Sequence, residues 1–319
     1  ENAFLCIAIT FGILLVFITP PFQTPDEPAH FYRAYQISEL KILSEKQDNK
    51  VGGDLPESLS VTAGKTMGAV TWNPDNKVNL GEIFSTVGIP LNPKNKIFTE
   101  FPAMARYSPA SYIPQSIGIA IGRLLKLSPL VLMYIGRIFN LSAWIFLVYL
   151  AVKITPVSKW LFFLLALTPM SMFISASLSA DVSTNALSFL FIAICLHYAF
   201  EENKILKPSG IFVLFLLSVL LSLTKLIYFL IPLIFLIIPI RKIGTAKKYY
   251  TVFILLILLS LMAITGWYLL VKNSIVPLKP DIFVEQQISF VLHNPLKFFE
   301  VVIKSLSSKR YIDHFIGRL

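Results

Sequence analysis

The sequence predicts an all-α integral membrane protein of about seven or eight transmembrane helices with a large extracytoplasmic first loop. Three observations lead there. Of the 319 residues, 55% are apolar and only 14% charged, against about 25% charged in soluble domains, and mean hydropathy is +0.70. Apolar runs approaching the roughly 20 residues of a bilayer span occupy residues 3–20, 129–152, 160–177, 182–200, 211–240 and 252–271. A long polar stretch, 22–106, separates the first run from the others.

Each segment follows from this pattern. Run 3–20 ends in Ile18-Thr19-Pro20-Pro21 with no small-residue cleavage site, so 1–21 is expected to remain as the first span. Segment 22–106 is the extracytoplasmic loop, 107–272 the multi-span bundle, and 273–319 an extracytoplasmic tail. In that tail Phe290, Val291, Phe298, Phe299, Val302 and Ile303 recur in a helical rhythm, which predicts helices lying on a membrane surface. Run 108–125 holds Pro109, Pro114, Gln115 and Arg123 and is weaker. Cys6 and Cys195 both lie in apolar runs, so no disulfide framework is implied.

Basic loops set the orientation. Loops 153–159, 204–207 and 241–248 are placed in the cytoplasm, which puts Asp181 and the tail outside. With Asp26 outside and Lys153 inside, an odd number of crossings must separate them. Either 108–125 does not cross, or the Lys153 loop breaks the charge rule. Run 211–240 offers only about 45 Å of helix, too little for two full spans. Two short helices turning near Thr224-Lys225, or a re-entrant pair, would fit. The net charge of +10 suits cytoplasmic loops or a phosphate-bearing lipid. Nothing in the chain resembles a nucleic-acid module, and the absence of an internal repeat weighs against a secondary transporter.

Charged groups inside or at the edge of apolar runs are the candidates for chemistry. Asp26, Glu27 and His30 stand at the exit of the first span. If a helix starts at Pro28, helical spacing puts Asp26, His30 and Arg33 on one face; the same pattern suits an acid-capped interfacial helix. Asp181 lies between two apolar runs, with Asn185 one turn on, and reads either as the cap of the next helix or as a second site acid. Asp26 and Asp181, on the same side, could hold a divalent cation such as Mg or Mn, or divide acid and base roles. Lys225, deep in run 211–240, should face a polar cavity or a phosphate, or snorkel. Arg137 has Tyr134 and Asn140 as helical neighbours and reads as either a site cation or a snorkelling one. Arg123 and Lys126 read as end-of-helix cations. Gly52-Gly53-Asp54 and Trp72-Asn73-Pro74-Asp75 read as turns. Phe98, Phe101, Tyr107 and Tyr112 read as interface anchors or a sugar-stacking surface.

Thr24-Pro25-Asp26-Glu27-Pro28-Ala29-His30-Phe31 resembles the signature of a bacterial polytopic family, domain-of-unknown-function family 2142. Tyr107-Ser108-Pro109-Ala110-Ser111-Tyr112-Ile113-Pro114, Leu178-Ser179-Ala180-Asp181 and Thr224-Lys225-Leu226-Ile227-Tyr228 resemble its later blocks. Phe315-Ile316-Gly317 resembles the start of another, in which Gly-Trp follows, so the tail is expected to be truncated. The family is similar in layout to the GT-C glycosyltransferases. That resemblance implies Asp26 as catalytic base or metal ligand, Glu27 as its partner, Asp181 as the second acid and Lys225 as a phosphate contact. His30, Arg33 and Arg137 join Lys225 as expected substrate or phosphate contacts. The implied partners are a polyprenyl-phosphate-linked sugar, membrane lipid, and an envelope glycan or protein acceptor. The implied place is the bacterial cytoplasmic membrane, acting on its outer face. The long 22–106 loop departs from the short two-helix loop of that layout. The rival expectations are a flippase for lipid-linked sugars and a non-catalytic subunit of envelope assembly.

Overall fold

The structure is a computed structural model that describes residues 1–67, 75–276 and 283–308. It is mostly helical and has, among the described residues, three helices long and apolar enough to cross a membrane and three shorter apolar ones. The chain divides into two compact units, Glu1–Ile275 and Val276–Leu319.

Helix α1 (Asn2–Ile18) stops where Thr19 turns extended before Pro20 and Pro21. Helix α2 (Glu27–Ser38) follows, with Pro28 in its first turn and Asp26 ahead of it in the left-handed region, φ 58°. Strands β1 (Glu45–Gln47) and β2 (Lys50–Pro56), helices α3 (Glu57–Met67) and α4 (Leu80–Val87), and strand β3 (Lys96–Glu100) build the loop. The strands form an antiparallel sheet in the order β1-β2-β3, which corrects the all-α expectation. Gly52 and Gly53 lie inside β2, not in a turn; Gly52 pairs with Glu100 and Gly53 with Thr99. Tight packing explains them. A Cβ on Gly52 would sit 1.8 Å from the Thr99 carbonyl oxygen, and one on Gly53 2.6 Å from Gln36 Nε2. Of the other predicted turn, Trp72, Asn73 and Pro74 lie outside the described residues.

Helices α5 (Ile113–Leu124) and α6 (Pro129–Ile154) form a hairpin. Gly118 and Gly122 allow the contact, since a Cβ at either would meet Phe139 or Leu132 of α6. Helix α5 has 12 residues, about 18 Å, too short for a core about 30 Å thick. Helices α7 (Lys159–Ala166) and α8 (Pro169–Ser175) replace the single helix expected over 160–177; the break falls at Leu167-Thr168, where Pro169 disfavours helical backbone before it. Helix α9 (Asp181–Phe200) and helix α10 (Pro208–Thr224) follow. Run 211–240 turns at Lys225, which is extended (φ −151°, ψ 139°), and continues as a 3₁₀ helix, Leu226–Ile237. The turn falls where the sequence placed it. Helix α11 (Ala246–Val271) closes the first unit. The second unit contains α12 (Val284–His293) and α13 (Pro295–Leu306), matching the helical rhythm of the tail; Phe315-Ile316-Gly317 lies outside the described residues.

Between helices in hydrocarbon there is no hydrophobic drive, so small residues and polar contacts decide the packing. Gly12 brings α1 against Leu141 of α6, and the Phe4 ring packs at a tilt on Trp144, centroids 6.0 Å apart. Ser218 and Ser260 share a 2.6 Å hydrogen bond between α10 and α11. At one end of the bundle Lys159 pairs with Glu1. Two of the basic loops also meet: Lys242 Nζ donates to the Glu201 and Glu202 carbonyls, and Leu206 N donates to the Lys242 carbonyl at 2.8 Å.

The far end of α1 is tied by one ion pair. Arg137 of α6 and Glu27 of α2 are both fully buried and meet at 2.5 Å and 2.8 Å through two parallel bonds. Arg137 also donates to the carbonyls of Val16 (2.9 Å), Thr19 (2.8 Å) and Pro20 (3.1 Å), closing the last turn of α1. Glu27 Oε1 in turn accepts from the Leu178 amide at 3.2 Å.

Two predictions follow from these contacts. Arg137→Met strands a buried carboxylate and is expected to cost about 3–5 kcal/mol, read as a lowered unfolding midpoint in detergent. Replacing both partners (Glu27→Leu with Arg137→Met) should recover part of that loss; equal losses would show that the pair is not coupled. Gly52→Ala should break the β2–β3 pairing and speed proteolysis within 45–100, whereas Gly64→Ala, where nothing lies within 4 Å of the added Cβ, should leave it unchanged.

Candidate functional site

A polar cluster forms where α2, the 107–112 segment, the start of α9 and the turn at Lys225 meet. Asp181 is the first residue of α9 but does not cap it; its amide bonds Ser179 Oγ at 3.2 Å. Its carboxylate is ion-paired with Lys225 Nζ, and both side chains are partly exposed. The ammonium also lies 5.9 Å from the centre of the Tyr107 ring, within range of a cation–π contact. His30, one turn into α2 and buried, faces the same aromatics. Its Nδ1 is 2.9 Å from the Tyr112 hydroxyl, and its ring lies against Tyr107 at 6.5 Å. Asp26 is exposed, and its side chain makes no capping bond.

These groups share one electrostatic environment. Burial lowers the His30 pKa from 6.5 to about 4; the charges of Asp181 and Asp26 oppose the shift and Lys225 adds to it. His30 is therefore neutral at neutral pH. The charges of Asp26, Asp181 and Lys225, from three segments, thus all bear on one imidazole.

Buried side chains hold the segments together. Asn140 donates to the carbonyls of Ser177 (2.9 Å) and Ser179 (3.2 Å), and Gln115 donates to that of Leu178 (3.4 Å). Ser183 Oγ donates to the Ser111 carbonyl at 3.1 Å, and Ser111 Oγ to that of Thr224 at 3.3 Å. The serine-rich loop carrying Asp181, the tyrosine segment and the Lys225 turn are thus fixed to one another through side chain–backbone bonds.

Three expected site residues lie elsewhere, which corrects their assigned roles. Glu27 is sealed in its pair with Arg137, with both oxygens used, so it is not an available partner for Asp26. Arg137 is fully buried and committed to Glu27 and the end of α1, so it presents no donor to a phosphate. Arg33 is also fully buried; it binds Gln36, Ser44 (3.1 Å) and the carbonyls of Ile42 (2.8 Å) and Tyr107 (3.2 Å), and so holds the 42–44 and 107 segments to α2. Asn185 accepts from Trp144 Nε1 at 2.8 Å. Tyr107 and Tyr112, expected as interface anchors or a sugar-stacking surface, line the polar cluster beside His30 and Lys225. Their signal was the Tyr-Ser-Pro-Ala-Ser-Tyr block itself. Phe101 instead is core, 1% exposed.

The donor set does not form an all-protein cage for a Mg or Mn ion. Among the described residues no three His, Cys, Asp or Glu side chains converge, and the Asp181 carboxylate is already engaged by Lys225. The arrangement offers instead an unpaired carboxylate, a neutral imidazole with a tyrosine partner, and an acid–ammonium pair that an anion can enter.

The His30 shift carries a stability consequence. Between about pH 6.5 and pH 4 the unfolded chain binds a proton at His30 that the folded chain does not, so stability falls as pH drops through that window, by up to about 3 kcal/mol. His30→Gln is expected to flatten this slope, measured as the unfolding midpoint from pH 7 to pH 4; an unchanged slope would place its cause at another group.

No curated protein and no solved structure matches the chain. A match to the family described as "Predicted membrane protein (DUF2142)" extends over residues 9–319 and includes every residue of the cluster. The chain belongs to that family of predicted membrane proteins.

Proposed function

We propose that the protein is a membrane glycosyltransferase. In this reading it transfers a sugar from a polyprenyl-phosphate carrier to an envelope glycan or protein on the outer face of the bacterial cytoplasmic membrane. The observation that carries the reading is the Asp181–Lys225 pair, whose charges act with that of Asp26 on the His30 imidazole, beside an apolar groove along α9 of which Asp181 is itself a wall. A lipid-borne substrate needs a polar reaction centre at the end of an apolar seat.

The chemistry assigns a role to each group. The acceptor hydroxyl oxygen bonds to the anomeric carbon, and the bond from that carbon to the phosphate oxygen breaks. The electron pair leaves with the phosphate, and the hydroxyl proton passes to Asp26. A base must lie within hydrogen-bond reach of that proton, and Asp26 is the exposed carboxylate with no capping bond to give up. Lys225 neutralises the charge that develops on the leaving phosphate. Asp181 keeps Lys225 in place until the donor arrives. Tyr112 donates to His30 Nδ1, so that Nε2 carries the ring proton and His30 serves as a neutral donor to the sugar. The Tyr107 face beside Lys225 is a stacking surface for the same sugar.

Topology is consistent with that assignment. The reading takes α1, α6, the broken pair α7–α8, α9, α10, the 3₁₀ helix Leu226–Ile237 and α11 as seven passages, with α5 lying outside. A second reading, a flippase for lipid-linked sugars, draws on the length of the same groove. The apolar character of its lining favours a lipid chain over the passage of a sugar head.

Asp26→Asn is expected to lower transfer by about 10²–10⁴-fold with expression and membrane insertion intact, read by mass spectrometry of envelope glycans. Undiminished decoration would overturn the enzyme reading. Accumulation of the lipid-linked donor on the cytoplasmic side in cells lacking the protein would favour the flippase.

A further inference from the structure

We infer that the groove beside α9 seats one long aliphatic chain of an anionic lipid, reaching through both leaflets from a head group held at Lys225. The inference rests on the lipid-carrier reading above and assigns the part of the carrier that the fold selects.

The groove has a volume of about 890 Å³. Its walls include Asp181 and Phe200, the first and last residues of the 20-residue α9. It therefore runs about 30 Å, the full thickness of the hydrocarbon core. An acyl chain of a phospholipid has only its own leaflet, about half that distance. A chain that fills the groove from end to end must be longer than one leaflet accommodates.

The lining suits a chain and not a head group. Leu161 of α7 is more than half exposed, 53%, and with Ile192 and Leu196 of α9 and Ile231 of the 3₁₀ helix it forms the walls. The polar side chains along the way are largely turned to internal partners. Thr168 Oγ1 donates to the Leu165 carbonyl at 3.0 Å, Ser188 Oγ to that of Thr184 at 2.7 Å, and Asn185 is held by Trp144. Two of the elements that line the groove beside α9 are irregular. The α7–α8 break at Leu167-Thr168 and the 3₁₀ helix with Pro232 inside it depart from straight α-helix along this groove. At the Asp181 end the pairing with Lys225 supplies a cation, which is where an anionic head would sit.

The test uses the full chain in lipid nanodiscs, with undecaprenyl phosphate and farnesyl phosphate as probes and native mass spectrometry as the readout. The wild type is expected to bind the long chain at least tenfold more tightly than the short one, which reaches only the outer part of the groove. Ile192→Trp with Leu196→Trp fills the inner part. It should bring the long chain down to the affinity of the short one and leave the short one unchanged. A photo-reactive residue in place of Phe200 gives a second readout that needs no filled groove: it should crosslink to undecaprenyl phosphate and not to farnesyl phosphate. Equal wild-type affinities for the two probes, or no crosslink at Phe200, would overturn the inference while leaving the carrier reading intact. Failure of the wild type to bind either probe would remove the carrier reading, and the inference with it.

Discussion

The buried pair of Glu27 and Arg137 is the constraint on which the rest depends. Two charges without water are costly, and the cost is offset only where every donor and acceptor is used. Here Arg137 meets both carboxylate oxygens and three carbonyls at the end of α1, and Glu27 also takes the Leu178 amide. One contact thereby fixes the exit of α1, the start of α2, the upper part of α6 and the loop before α9. In a bundle where lipid competes equally for apolar surface, such a polar node sets the register that apolar packing leaves loose.

The node also explains the posture of its neighbour. With Glu27 drawn inward and Pro28 fixing the first turn, the chain must swing sharply at Asp26. It does so with a left-handed residue, φ 58°, a conformation that aspartate tolerates better than most non-glycine residues. The side chain is then left outside the helix-capping pattern and exposed. The adjacent acids of the motif thus divide their work: Glu27 builds the scaffold and Asp26 faces out.

The parts of the fold that were legible in the sequence were those set by local physics. Apolar run lengths marked the long helices, the Lys225 turn followed from a length that two spans could not share, and the prolines marked where helices stop. The sheet was hidden because its strands are short and Gly52 and Gly53, turn residues by propensity, are demanded by a close approach to Thr99 and Gln36 that only the tertiary fold creates. In the site, Asp26, His30, Asp181 and Lys225 were visible as charges that apolar surroundings had to justify. The fates of Glu27, Arg33 and Arg137 were not, since a charge next to a membrane looks the same in sequence whether it meets a ligand or another buried group. Tyr107 and Tyr112 were masked by the many aromatics of a membrane protein.

Charge balance indicates what the site must do to receive an anion. Asp26 and Asp181 contribute two negative charges, Lys225 one positive, and His30 none, so the cluster is net negative before a donor arrives. In the proposed reading, a phosphate would not simply be added beside Asp181 but would take its place on Lys225. The resting pair is suited to that exchange. Both side chains are partly exposed, and pairs of that kind are worth only about 1 kcal/mol or less, so opening it costs little. Its geometry is nevertheless defined, because Ser179 fixes the Asp181 amide and the Tyr107 ring lies beside the ammonium. In the proposed glycosyltransferase reading, a phosphate that holds Lys225 would release the Asp181 carboxylate into the cluster as the donor arrives. A weak exposed pair beside a strong buried one is therefore a division of labour: Glu27 and Arg137 hold the segments still, and Asp181 and Lys225 are free to part.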